Sequence, residues 1–254
     1  MKRAFFILQA EDLEHPEDFA DYDLFVCNPD LPREQLLAFR NRLGELSYRL
    51  YKRTMLAYDN CIDAPSPTWT SDYWRDKAEI LKRCHLGITW WKDSPGYLLN
   101  GPAAMALAGF HRHRTMVNGF DGIYLDLCRE TWPPSRVSNV ISGPLYSARY
   151  QYPFERQRYT AMLRRFIPHA ILIGNSNSPI MDPMLDGCSL EDVGKNIQLV
   201  EALGIFTQQR QVSWGGTDAA KCVAWTRDGE DASAAERLAE ACDWIYAGRI
   251  RKEA

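Results

Sequence analysis

Phe120-Asp121-Gly122-Ile123-Tyr124-Leu125-Asp126-Leu127-Cys128-Arg129-Glu130 contains a short apolar strand, Ile123 to Leu125, that ends on a carboxylate, Asp126. A polar, aromatic and proline-rich loop follows, Glu130-Thr131-Trp132-Pro133-Pro134. Asp is depleted in strands and is almost never fully buried without a partner, so a carboxylate at the exit of an apolar strand needs a reason. In a parallel α/β protein the strand exits together form the face on which substrates bind.

The same strand-then-polar pattern recurs along the chain. Ala4 to Leu8 is an apolar run of strand length, Asp23 to Asp30 is a second strand ending in a turn, and Arg53 to Asn60 is a third, with Asp59 at its end. Ala170 to Asn177 ends in amides, and Met184 to Asp192 ends on Glu191 and Asp192. Gln211 to Gly215 and Cys222 to Trp225 compete as a seventh strand, and Trp244 to Ala247 is an eighth. Helical spacing separates these runs. Pro32 opens a helix from about Arg33 to Arg49, and Ser71 or Asp72 caps another that reaches about Cys84. Ala103 to Asn118 is helical with Gly119 as its C-terminal cap, and a helix from about Ala148 to Phe166 ends at Pro168. Val193 to Leu203 and Ala232 to Cys242 complete the set. Trp90 to Pro102 reads as a long aromatic loop, a length that in compact domains is usually functional. Alternation of strand and helix predicts α/β architecture with a parallel sheet. The expectation is one domain over residues 1–254, a single compact (β/α)8 TIM-type barrel, least regular in its last third.

Composition narrows the function classes. A hydrophobic content of 46% supports one large core, and a formal charge of -3 gives no basic footprint for nucleic acid. The N-terminal apolar run meets Glu11-Asp12 too soon for a signal peptide, and no run is long enough to span a bilayer, so no membrane role is expected. The 7 Cys are widely spaced, with Cys222 and Cys242 the closest pair, which excludes a CxxC motif and does not resemble a disulfide framework. Cys27, Cys128 and Cys188 sit in apolar runs as small hydrophobes, in keeping with a reducing compartment. Neither GxGxxG nor a P-loop pattern occurs, and no cofactor is expected. His111 and His113, two apart on a helix beside Arg112 and Arg114, read as a solvated helix end rather than a metal site. Arg156, Arg158, Arg164 and Arg165 read as one helix's solvent side, and Gly215-Gly216-Thr217-Asp218 as a turn.

In a parallel barrel, Asp59, Asp126, Asn175, Asn177, Glu191 and Asp192 all converge on one face. Paired carboxylates across a cleft are what glycosidic bond hydrolysis needs: one attacks or activates water, and the other delivers a proton to the leaving oxygen. Asp121 and Asp186, each immediately before a Gly, read instead as turn or supporting residues, and Asp12, Asp30, Asp182 and Asp243 as caps or turns. Trp in probable loops suits stacking on sugar rings.

The segment Phe120 to Asp126 resembles the "fDGvflD" strand of glycoside-hydrolase-like TIM barrels, the hypothetical glycosyl hydrolase and endo-polygalactosaminidase-like groups that are distant kin of α-galactosidases. Tyr97-Leu98-Leu99-Asn100 resembles the segment before that strand, Leu172-Ile173-Gly174-Asn175 the next strand, and Leu185 to Glu191 the one after. The resemblance covers roughly Arg3 to Leu203. It implies a hydrolase acting on an oligo- or polysaccharide, with Asp126 as nucleophile and Glu191 as general acid/base in a retaining reaction. Asp59, Trp69, Trp91, Asn100, Glu130, Trp132, Asn175, Asn177 and Trp214 would contact substrate. The rival reading is a non-catalytic saccharide-binding or structural barrel module within a larger assembly. A third uses Asp59, Asp126 and Glu191 as oxygen ligands of a metal ion.

Overall fold

The computed structural model describes residues 3–46, 53–61, 69–83, 86–91, 94–98, 101–126, 144–175, 182, 184–190, 221–226 and 243–247. Its frame is a curled, wholly parallel sheet of β1 (Arg3–Leu8), β2 (Leu24–Cys27), β3 (Thr54–Asp59), β6 (Gly122–Leu125), β7 (Ile171–Asn175), β8 (Gly187–Leu190), β9 (Lys221–Thr226) and β10 (Trp244–Ala247). Neighbours run in the order β1-β10-β9-β8-β7-β6-β3-β2, and β2 lies against β1. Of the two seventh-strand candidates, the Cys222 run forms β9; Gln211 to Gly215 lies outside the described residues, as do the expected helices over 193–203 and 232–242.

Helices α1 (Arg33–Leu46), α2 (Asp72–Leu81), α3 (Gly101–His111) and α4 (Pro144–Phe166) are the long helices among the described residues. Between β1 and β2 two short 3-10 turns, Glu11–Glu14 and Pro16–Phe19, stand where a helix is usual. The expected aromatic loop is a hairpin instead, with β4 (Leu86–Trp91) antiparallel to β5 (Ser94–Leu98). Its sequence carries the reason: Ile88, Thr89, Trp90, Trp91 and Tyr97 are strand formers, and a ribbon of two strands is all edge, so Pro95 is tolerated there. Gly119, at φ 91°, ends the segment after α3 in the left-handed conformation that glycine adopts freely.

Strand alternation sorts the core into two layers. Leu24, Val26, Leu56, Tyr58, Tyr124 and Ile173 share one cluster with Ala4. Phe25, Cys27, Met55 and Ala57 share the other with α1 residues Leu36, Phe39 and Leu43. The first layer is the inside of the curled sheet, and the second faces the helices.

Carboxylates at the starts of β2, β6 and β8 tie each of these strands to a neighbour. Asp23 accepts from the Arg3 amide at 2.9 Å, Asp121 from the Met55 amide at 2.9 Å, and Asp186 from the Leu172 amide at 2.8 Å. Arg40 pairs with Asp121 at 2.8 Å, and Arg164 with Asp186 at 2.7 Å. At the start of β3, Arg53 donates to the carbonyls of Ala20, Tyr22 and Leu43. Of Arg156, Arg158, Arg164 and Arg165 on α4, two therefore leave the solvent face assigned to them. Arg164 bridges into the Asp186 turn, and Arg156 is fully buried against Asp182 at 2.7 Å; Arg158 and Arg165 are exposed. Asp182, expected as a turn residue, is itself buried and also accepts from Thr160. The α2 cap differs too: Ser71 precedes the helix, but its hydroxyl goes to Asp30, whose other oxygen accepts from the Tyr73 amide at 3.2 Å.

His111 corrects the solvated-helix-end reading, since it is completely buried while His113 is exposed. It lies in a polar knot outside the sheet. The Asp59 carboxylate accepts from Lys77 Nζ at 2.6 Å and from the Tyr73 hydroxyl at 2.8 Å, and His111 Nδ1 meets that hydroxyl at 3.0 Å. Lys77 also donates to Asn60 Oδ1 and, at 2.8 Å, to the Cys61 carbonyl. Asp59, Lys77 and His111 are all without solvent exposure. Burial pushes His111 down from 6.5 to about 4; nearby Asp59 opposes this, and Lys77 adds to it. Burial and the adjacent Asp59 hold the Tyr73 phenol protonated, well above its ordinary range.

Two predictions follow from these contacts. A methyl at Gly122 runs into the Ile171 carbonyl oxygen, a backbone atom that cannot swing aside. Gly122→Ala is expected to destabilise the protein by about 3 kcal/mol or more, read from urea unfolding; a loss under about 1 kcal/mol contradicts the tight β6–β7 approach. The depressed His111 means that the unfolded chain takes up a proton which the folded chain refuses. This contribution to stability is complete above pH 6.5 and drains as the pH falls toward 4. His111→Gln, less stable at pH 7, is expected to show a flatter loss of stability across that window, and an unchanged slope contradicts the assignment.

Candidate active site at the strand exits

Asp126 follows the last residue of β6, and its amide donates to the Asp59 carbonyl at 2.6 Å, so the exits of β3 and β6 are locked side by side. By alternation Tyr124 and Asp126 share the inner face. The half-buried Asp126 carboxylate accepts from two neighbours on the same side of the sheet: the Tyr58 hydroxyl at 2.6 Å on Oδ2, and Asn175 Nδ2 at 2.8 Å on Oδ1. Each carboxylate oxygen therefore accepts from one of these side chains. Behind Asn175, the Ser189 hydroxyl donates to Asn175 Oδ1 at 2.9 Å, and the Tyr124 hydroxyl lies 2.8 Å from Ser189 Oγ. Strands β3, β6, β7 and β8 thus each contribute an inward side chain to one polar chain that ends on Asp126.

Aromatic rings floor and edge this site. Tyr58 and Tyr124 stack with centroids 6.3 Å apart, and Phe6 meets both edge-on at 5.7 and 5.4 Å. Trp69 touches Tyr58 edge-on at 6.1 Å and leans on Trp74 at 4.7 Å. Trp69 is 37% exposed whereas Trp74 is 7%, so Trp69 presents a free ring surface one residue removed from Asp126.

The residues singled out in the sequence fall into three groups. Asp126, Asn175 and Trp69 come together around Tyr58. Asp59, adjacent in sequence to Tyr58, points the other way: it has the parity of Met55 and Ala57, and its oxygens are engaged by Lys77 and Tyr73 in the buried knot. It presents no surface to a substrate and acts by fixing the strand from which Tyr58 projects. Trp91 ends β4 of the hairpin. Glu191, Asn100, Glu130, Trp132, Asn177 and Trp214 lie outside the described residues. Tyr58, Tyr124 and Ser189 were missed by reading strand ends alone. Each stands at an inward position of a strand, a parity signal already present in the sequence. Among the described residues no group of three or more His, Cys, Asp or Glu side chains could hold a metal ion.

No known family pattern and no curated protein matches this chain. Solved structures do. The glycoside hydrolase domain of PelA from Pseudomonas aeruginosa superposes with a TM-score of 0.61 at 16% identity, covering 98% of this chain and 95% of that one. Aspergillus fumigatus Ega3, solved in complex with galactosamine, gives 0.56 at 11% identity, covering 98% and 90%. The GH36 α-galactosidase AgaA from Geobacillus stearothermophilus gives 0.57 at 12% identity, with all of this chain covering 39% of that enzyme. At such identities the likeness is one of fold: this chain has a glycoside-hydrolase-like fold.

Proposed function

We propose that the chain is a single-domain (β/α)8 glycoside hydrolase that cleaves a glycosidic bond in an oligo- or polysaccharide with two carboxylates and no cofactor. The observation that carries the reading is Asp126: a half-buried carboxylate at the exit of a parallel strand, oriented by Tyr58 and Asn175 beside an exposed Trp. Such a carboxylate can approach an anomeric carbon only if its lone pairs are held in place, and one donor on each oxygen does that. Glu191, two positions beyond Ser189 in the sequence, is the second carboxylate of this reading. In this reading Asp126 attacks the anomeric carbon to form a glycosyl ester while Glu191 protonates the departing oxygen. Glu191 then takes a proton from the water that hydrolyses the ester, and the anomeric configuration is retained. Trp69 stacks on a sugar ring, and Asn175 holds Asp126 while reaching the bound sugar. Trp91, Asn100, Glu130, Trp132, Asn177 and Trp214 supply further substrate contacts. Asp59 acts through Tyr58.

The test is turnover of a glycan panel that includes galactose- and galactosamine-containing polymers, chosen because fold relatives carry those sugars in their names. On whichever glycan the wild type cleaves, Asp126→Asn is expected to lower kcat at least about a thousandfold with the fold intact. Near-normal turnover by this variant removes Asp126 from the chemistry. Trp69→Ala is expected to raise KM about tenfold with kcat within about threefold, as the loss of a stacking surface should. An unchanged KM removes Trp69 from the binding surface.

A further inference from the structure

We propose that Ser189 is a positioning residue that anchors the far end of the Asn175 amide, and so holds Asn175 in the orientation in which it donates to Asp126. An Asn side chain has an acceptor end and a donor end of nearly identical shape, and only its partners decide which end points where. The Asn175 side chain lies between a carboxylate and a hydroxyl. With the amide toward Asp126, Nδ2 donates at 2.8 Å and Oδ1 accepts the Ser189 proton at 2.9 Å. Turned over, the Asn175 carbonyl oxygen confronts an Asp126 oxygen, two acceptors with no proton between them.

Ser189 has one proton. Once that proton is committed to Asn175 Oδ1, the Tyr124 hydroxyl at 2.8 Å must be the donor to Ser189 Oγ. The chain therefore has a single polarity: Tyr124 to Ser189, Ser189 to Asn175, Asn175 to Asp126. Ser189 lies on β8 and Asn175 on β7, while Tyr124 lies within β6 and Asp126 directly follows it, so the relay leaves one strand and returns to its exit. Ser189 and Tyr124 are completely buried, and Asn175 is nearly so. In such surroundings a hydrogen bond is electrostatically stronger than in water, and an unmade one is costly. Ser189 never touches the substrate in this arrangement. It acts on Asp126 through Asn175, which links this inference to the hydrolase reading only in its catalytic consequence.

The experiment follows the Asn175 side-chain amide in the full-length protein by nitrogen-15 NMR, identified by its disappearance in Asn175→Asp. Ser189→Ala removes one oxygen from the relay. Exchange of the Asn175 side-chain protons with water is expected to speed up about tenfold, while the backbone amides of Ile173 and Gly174 keep their wild-type exchange. Ser189→Thr, which keeps the hydroxyl, is expected to restore slow exchange. Side-chain exchange within twofold of wild type in Ser189→Ala overturns the proposal. An equal acceleration of the β7 backbone amides also overturns it, because it shows general loosening. If Ser189→Ala does not fold, Tyr124→Phe carries the same test at about threefold, and no acceleration there is contrary to the proposal. On a cleaved glycan, Ser189→Ala is expected to lower kcat about tenfold with KM within twofold. A wild type that cleaves nothing sinks the hydrolase reading while the amide measurement still decides the role of Ser189.

Discussion

The exit of β3 is organised by one buried ammonium. Lys77 brings its charge from α2 into a place without solvent and spends its donors on the Asp59 carboxylate, the Asn60 side chain and the Cys61 carbonyl, three consecutive residues. A buried charge with no partner is strongly unfavourable, so this register of strand against helix is the one in which all three acceptors are met. Cys61 is held at φ 55°, a left-handed value uncommon for a residue with a side chain, where the chain turns away from the strand. With Asp59 facing outward, Tyr58 must face inward, and its hydroxyl lands on Asp126. The site's geometry depends on a salt bridge that lies on the other side of the sheet.

Aspartates do two jobs in this fold, and position along the strand separates them. At the strand starts, Asp23, Asp121 and Asp186 accept backbone amides of the adjacent strand, and Arg40 and Arg164 neutralise two of them. These are stitches that fix stagger where the sheet must curl. The close approach of Gly122 to the Ile171 carbonyl belongs to the same end of the sheet. At the strand exit, Asp126 accepts from the side chains of Tyr58 and Asn175, and it retains partial exposure. Stability is gathered at one end and the candidate site lies at the other, the arrangement usual for parallel strands wrapped by helices.

Much of this was legible in the sequence. Short apolar runs ending in polar or turn residues marked β1, β2, β3, β6, β7, β8 and β10 within a few residues, because parallel strands buried on both faces are continuous apolar runs. Pro32, Gly119 and Pro168 marked helix ends for steric reasons that do not depend on context. The 86–98 hairpin escaped because its Trp and Tyr, interleaved with Gly87, Gly96 and Pro95, look like loop aromatics. Arg156 and His111 escaped because a charged or polar residue on a helix is buried only by virtue of a distant partner, here Asp182 for one and Tyr73 for the other. Asp59 was placed with the site because it ends a strand. Counting parity from Leu56 and Tyr58 instead of noting the end alone separates it from Asp126.

The central claim is that Asp126 works across an open pocket from a second carboxylate, Glu191. The most direct measurement is the separation of the two carboxyl groups in a crystal structure of the protein, together with whether solvent reaches both. The account predicts about 5–5.5 Å across an accessible pocket, the spacing of a retaining pair; about 6.5–9.5 Å would keep the hydrolase and change its stereochemistry. Carboxyl groups that point away from each other, or a pocket filled by side chains, would contradict the catalytic account and leave a barrel built for binding or assembly.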